Sequence, residues 1–257
     1  KIKCRKMIMK ILLSELLFFV FCFSVNAQNE RYSYKEYTHG DFTIAEVGKN
    51  SVRIFPKNFH SIDDSLRKKE SQTYIEYNIP FNEDREKNIQ NSPWNRWKDQ
   101  IEKRIFNRES ETIMQNIVDS LATTSDSLNT SIWFIVSIYF DKNGVLLTSY
   151  FEMHKHLFDR LSEEQLKRFF YESMGGDNGR KIPTKAMNCI SLYGWNEEYS
   201  NVMEKNMLEF KERFESGTLS KEEQNKLFDS LVMHPKERPK ASFGVFTISR
   251  HCGENKL

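Results

Sequence analysis

With 257 residues, 39% hydrophobic and 13% aromatic side chains, and only 10 Gly and 6 Pro, the chain is too apolar for a disordered protein and lacks the bias of a collagen or low-complexity tract. Lys+Arg and Asp+Glu nearly balance at 38 and 36, a formal net charge of +2, so composition gives no ground for a nucleic-acid partner. The length suits one large domain or two small ones, either able to bury a core.

Residues 1–27 follow the three-part grammar of an export signal. Lys1, Lys3, Arg5, Lys6 and Lys10 open it, residues 16–25 form an apolar stretch broken only by Ser24, and Val25, Asn26 and Ala27 close it before Gln28. The apolar stretch falls well short of the roughly 20 residues of a spanning helix. Cleavage between Ala27 and Gln28 is therefore expected, with no stable membrane span afterwards, and Met7 or Met9 is the natural initiator. The leader carries those five basic residues against Glu15 alone, so the remaining chain is slightly acidic. Cys4 and Cys22 leave with it. Cys189 and Cys252 remain, an even pair in a chain bound for an oxidising compartment, and a Cys189–Cys252 disulfide is expected. The ending Val25-Asn26-Ala27-Gln28 resembles leaders common among Gram-negative gut bacteria, which implies the periplasm or cell surface of such an organism.

Residues 28–80 read as β-rich. Alternation over 42–47, a Gly48-Lys49-Asn50 turn and alternation back to Pro56 predict a hairpin, and 73–79 a third strand. Residues 82–91 read as a loop. Ser92 before Pro93 opens a helical stretch over 92–122, with Trp94, Trp97, Ile101 and Ile105 on one stripe; a break falls at 107–110, where Ser110 recaps the helix. Residues 123–130 form a small, polar connector. The strongest pattern follows. Ile132, Phe134, Val136, Ile138 and Phe140 line one face of a strand whose other face is also largely apolar, Asp141-Lys142-Asn143-Gly144 turns the chain, and 145–153 returns. Ser162 with Gln165 forms a capping box for the next helix, with Leu161 and Leu166 as its staple, and Gly175-Gly176 ends it. A short strand over 189–193, helices over 196–216 and after Ser220, and a terminal strand over 241–249 complete the chain. The expectation is one α+β domain over 28–257: an antiparallel sheet centred on the 131–153 hairpin, packed by several amphipathic helices.

His154 and His156 are the one tight pair of good metal ligands. A zinc site requires further ligands at fixed distance, so two solvated histidines at a strand end are the simpler reading, and no metal or cofactor is expected. Acidic pairs at 63–64, 163–164, 197–198 and 222–223 mostly sit where helix first turns favour negative charge. No nucleophile elbow, phosphate loop or metalloprotease signature appears. The tripeptide Asp-Ser-Leu occurs four times, at Ser65, Ser120, Ser127 and Ser230. It reads either as punctuation of helix caps and ends or, since Asp-Ser before an aliphatic residue resembles the acceptor of periplasmic O-glycosylation in the same bacterial group, as sites of glycan attachment.

Residues 131–175 together with 241–249 resemble the C-terminal domain of TonB-type proteins in their order of strand, Asp-Lys-Asn-Gly turn, strand, helix from Leu161-Ser162, and final strand. That resemblance implies an α+β domain that contacts protein partners of the cell envelope through an exposed strand edge. More broadly the chain resembles uncharacterised secreted families of Gram-negative gut bacteria. A non-catalytic interaction module with a protein or cell-envelope partner is the leading expectation; a secreted hydrolase acting on glycan or peptide is the alternative.

Overall fold

A computed structural model describes residues 35–79, 83–122, 131–195, 197–217, 220–228, 230 and 239–253. The expected leader with its Ala27–Gln28 junction, and Ser127 in the 123–130 connector, lie outside them. The fold is α+β. Strands β1 (Lys35–His39), β2 (Phe42–Val47), β3 (Ser51–Pro56), β5 (Ile132–Asp141), β6 (Leu146–His154) and β8 (Phe243–Cys252) form an antiparallel sheet in the order β1-β2-β3-β6-β5-β8, and β4 (Gln72–Tyr77) pairs with β7 (Ile190–Trp195) in a second, two-stranded sheet.

The predicted hairpin is the centre of the large sheet, with β5 paired on both sides, to β6 and β8. Its turn is built by Asp141, whose Oδ1 accepts the N–H groups of Asn143 and Val145, and by Gly144 at φ +81°. One face of the sheet carries Val52, Ile54, Phe134, Val136, Ile138, Phe151, Phe246 and Ile248. Against them pack Trp94, Ile101 and Ile105 of α3 (Pro93–Ile105), Met114 and Ile117 of α4 (Arg108–Ala122), and Leu166 and Phe169 of α6 (Glu163–Ser173). Phe106 and Phe169 meet the Phe134 ring at 5.2 and 5.3 Å, so this stripe is the hydrophobic core the alternation demands.

The opposite face is only partly covered. Helix α1 (Phe59–Arg67) lays Phe59 and Leu66 on Phe55, Tyr139, Tyr150, Phe243 and Val245. The β-like reading of 28–80 missed this helix, although Phe59, Ile62 and Leu66 recur at helical spacing. Likewise α2 (Arg85–Gln90) replaces the expected loop at 82–91.

Ser92 caps α3 as expected, its Oγ accepting the Asn95 N–H. Ser110 does not cap α4. Asn107 does: its Oδ1 accepts from the Glu109 and Ser110 N–H groups, while the Ser110 hydroxyl donates back to the Ile105 and Asn107 carbonyls. The Ser162–Gln165 capping box of α6 is complete, and Gly175 and Gly176 end that helix at positive φ. The single turn α5 (Lys155–Phe158) precedes it, and beyond it come the single turn α7 (Thr184–Met187), then α8 (Glu197–Glu215) and α9 (Lys221–Phe228). Among the described residues no helix is long and apolar enough to cross a membrane.

Candidate functional site

Strand β8 ends the sheet order, with β5 as its only ladder partner among the described residues. Which of its main-chain groups face outward follows from hydrogen bonding. The Lys142 N–H donates to the Ser242 carbonyl, and the pairing runs from Asp141↔Phe243 to Ile132↔Cys252 without a shift. In an antiparallel ladder, hydrogen-bonded and non-hydrogen-bonded pairs alternate. Even-numbered residues of β8 therefore bond to β5, and odd-numbered ones point their N–H and C=O away from it. The segment just before β8 obeys the same alternation: the Pro239 carbonyl accepts from Gly194, and the Ala241 N–H donates to Leu192, both on β7. The second sheet thus closes the start of this edge at Pro239 and Ala241, while the intervening Ser242 N–H is taken by Glu70 Oε1 and not by β5. Further along, Thr247, Ser249 and His251 have exposed side chains and outward main-chain groups.

A shallow, open groove of about 420 Å³ runs beside the end of this strand, between Arg250, His251 and Cys252 and the outer wall of α4, where Arg108, Glu111, Thr112 and Gln115 recur at helical spacing. Arg250 is the floor. It reaches Glu111 at 3.1 Å and Glu102 at 3.9 Å, and its guanidinium lies 5.8 Å from the Phe106 ring centre. Its Nε is buried without a hydrogen-bond partner among the described residues. Burial, together with the Glu111 carboxylate, pushes the Cys252 thiol up, against the opposing pull of Arg250. A thiol held protonated is a poor nucleophile.

The other expected sites stand apart from this groove. Cys189 and Cys252 are both free and half-buried, so the expected disulfide is not formed. The reason is geometric: Leu192, close to Cys189 in sequence, meets Gly244 near the start of β8, whereas Cys252 is the last residue of that ten-residue strand. At about 3.3 Å per residue, most of the strand length separates the thiols.

His154 is buried, at 9% exposure, and not the solvated residue the pattern suggested. Its Nδ1 accepts the His156 N–H at 3.2 Å, which caps α5, and the two rings lie 5.2 Å apart. Burial, then the neighbouring His156, lowers its pKa. Among the described residues no group of three or more His, Cys, Asp and Glu is placed to hold a metal ion.

Three of the four acidic pairs have a local partner. Asp63 holds Arg67, Glu163 holds Lys167 and Glu222 holds Lys226, each one helical turn on. Ser65, Ser120 and Ser230 are exposed. Ser65 and Ser120 lie near the C-terminal ends of α1 and α4, so these Asp-Ser-Leu copies mark helix ends and not N-caps. Trp94 is core at 2% exposure, with Trp97 packed on it.

Comparison with known proteins adds little to this geometry. No family model matches the chain, and no curated protein matches it. Among solved structures, a crystal structure of a DUF5043 family protein from Bacteroides uniformis is similar at a TM-score of 0.32 and 8% identity, over 64% of this chain and 90% of that one. A likeness at that level fixes neither fold nor activity, and that protein's name makes no link to TonB-type domains.

Proposed function

We propose that the protein is a non-catalytic interaction module, exported to the periplasm or cell surface of a Gram-negative bacterium, that captures an extended segment of a cell-envelope protein by strand addition to β8. The observation that carries this reading is the run Thr247, Ser249 and His251, whose outward main-chain groups continue an edge that, among the described residues, β7 closes only at Pro239 and Ala241. Strand addition draws its affinity from such groups and requires no special side chains. The TonB-like order of strand, turn, strand and helix, with the final strand lying beside the first, supports the same use of an edge. Export, a leader over 1–27 and a single domain over 28–257 rest on the leader grammar; exported protein should begin at Gln28, and a start at Met7 or Met9 in the membrane fraction would contradict it. Glycan on Ser65, Ser120, Ser127 or Ser230 would appear as added mass in protein from the native host.

The test is a proline substitution. Ser249→Pro removes an outward N–H and no bond to β5, and edge strands tolerate proline at such positions. Heptapeptides selected from a random library against the wild-type chain should lose binding to the Ser249→Pro variant while its circular dichroism is unchanged. Turnover of a glycan or peptide by the purified chain, abolished by replacing His154 or one carboxylate, would replace this reading with the hydrolase.

A further inference from the structure

We infer that the groove between β8 and α4 selects extended peptides that carry an acidic side chain toward α4, with Arg108 as the residue that reads it; this rests on the reading of β8 as a docking edge. A strand added beside Thr247, Ser249 and His251 runs along the floor formed by Arg250 and Cys252, with α4 as its wall. Alternate side chains of such a strand face that wall, which presents Arg108, Glu111, Thr112 and Gln115.

Their charges are not equivalent. Glu111 is engaged by Arg250, at 3.1 Å, and Arg250 has Glu102 as a second acidic neighbour, so that set is already compensated. Glu109, next to Arg108 in the first turn, is held by Arg168 at 2.6 Å and by Gln165 at 3.0 Å. Gln115 is tied to Asp119, and the Thr112 hydroxyl to the Arg108 carbonyl. Among the residues lining the groove, Arg108 alone has an exposed charged group with no ion pair or hydrogen bond to any described residue.

Its position is also electrostatically unfavourable within the chain. Arg108 is the first residue of α4, at the positive end of the helix dipole, where acidic residues are preferred. Placed there without a partner, it leaves one unpaired positive charge on the wall of the groove. An incoming carboxylate would relieve both effects, and a guanidinium takes a carboxylate by paired N–H donors that a lysine peptide could not answer.

The test measures fluorescence anisotropy of the full chain with labelled seven-residue threonine–valine peptides bearing Glu, Gln or Lys at the central position. The glutamate peptide should bind about fivefold more tightly than the glutamine peptide and more than that over the lysine peptide, as expected for one half-exposed charge pair. The advantage should shrink with added salt. Arg108→Gln should bring the Glu-to-Gln ratio to about one, and Arg108→Lys should restore part of it. Equal binding of all three peptides, or a preference that survives Arg108→Gln, overturns the acidic selection while leaving strand addition intact. Failure of every peptide to bind overturns both. Concentration-dependent dimerisation that is lost in Ser249→Pro would make a second copy the occupant and would likewise overturn the inference.

Discussion

Protonation of His154 removes a helix cap and adds charge to a buried site at once. Its Nδ1 must be unprotonated to accept the His156 N–H, and burial followed by the neighbouring His156 lowers its pKa from the ordinary histidine value. In the unfolded chain the ring takes up a proton near pH 6.5, earlier on acidification than in the folded chain. The stabilisation is therefore complete above about pH 6.5, declines as pH falls below it, and levels off once the folded ring is protonated too. The melting temperature of His154→Asn, which keeps an acceptor in the Nδ1 position, should fall less between about pH 7.5 and about pH 5 than that of the wild type; equal slopes would remove His154 from the acid response. Gly244 is constrained by space alone. A Cβ there would lie 2.6 Å from Phe140 Cζ and 2.9 Å from Leu192 Cδ2, where the two sheets meet. Gly244→Ala should cost about 1–3 kcal/mol in chemical denaturation, as overpacking does, and an unchanged midpoint would show that the junction can yield.

Helix α4 both supports the core and walls the groove, so its first turn matters twice. Asn107→Ala removes the acceptor of two N–H groups and should lower stability by about 0.5–2 kcal/mol, with Asn107→Asp recovering most of it. Equal losses in the alanine and aspartate variants would mean that the cap contributes nothing. This cap also shows where sequence reading stops at the scale of elements. The break at 107–110 was legible from composition, but both Asn107 and Ser110 are good caps, and only the backbone geometry decides between them. By contrast, Ser162 and Gln165 sit three apart before an apolar stripe, and their capping box was legible outright. Helix α1 was lost because its flanking strands β3 and β4 are short and β-branched, and Phe59, Ile62 and Leu66 are too few to break that impression.

At the scale of the molecule, the 131–153 hairpin was readable because apolar residues on both faces mark a strand covered on both sides. The strand order was not. Nothing local in β4 says that it leaves the large sheet to pair with β7, since its pattern of Tyr74, Ile75 and Tyr77 would serve in either sheet. Nor does sequence show that Cys189, just ahead of β7, and Cys252, at the end of β8, are held apart by most of the length of β8; that separation is a consequence of the register. The groove escaped sequence reading for the same reason. Arg108 and Arg250 are unremarkable until α4 is laid across the end of β8, and the one local signal was an arginine at a helix start.

The central claim is that β8 presents a free edge from Thr247 onward, and amide hydrogen exchange of the unliganded chain tests it residue by residue. Solvent-facing N–H groups exchange quickly and ladder N–H groups only on opening. The amides of Thr247, Ser249 and His251 should exchange fast, alternating with protected amides at Phe246, Ile248 and Arg250. Uniform protection across all six would mean that the edge is already covered, and would contradict the account.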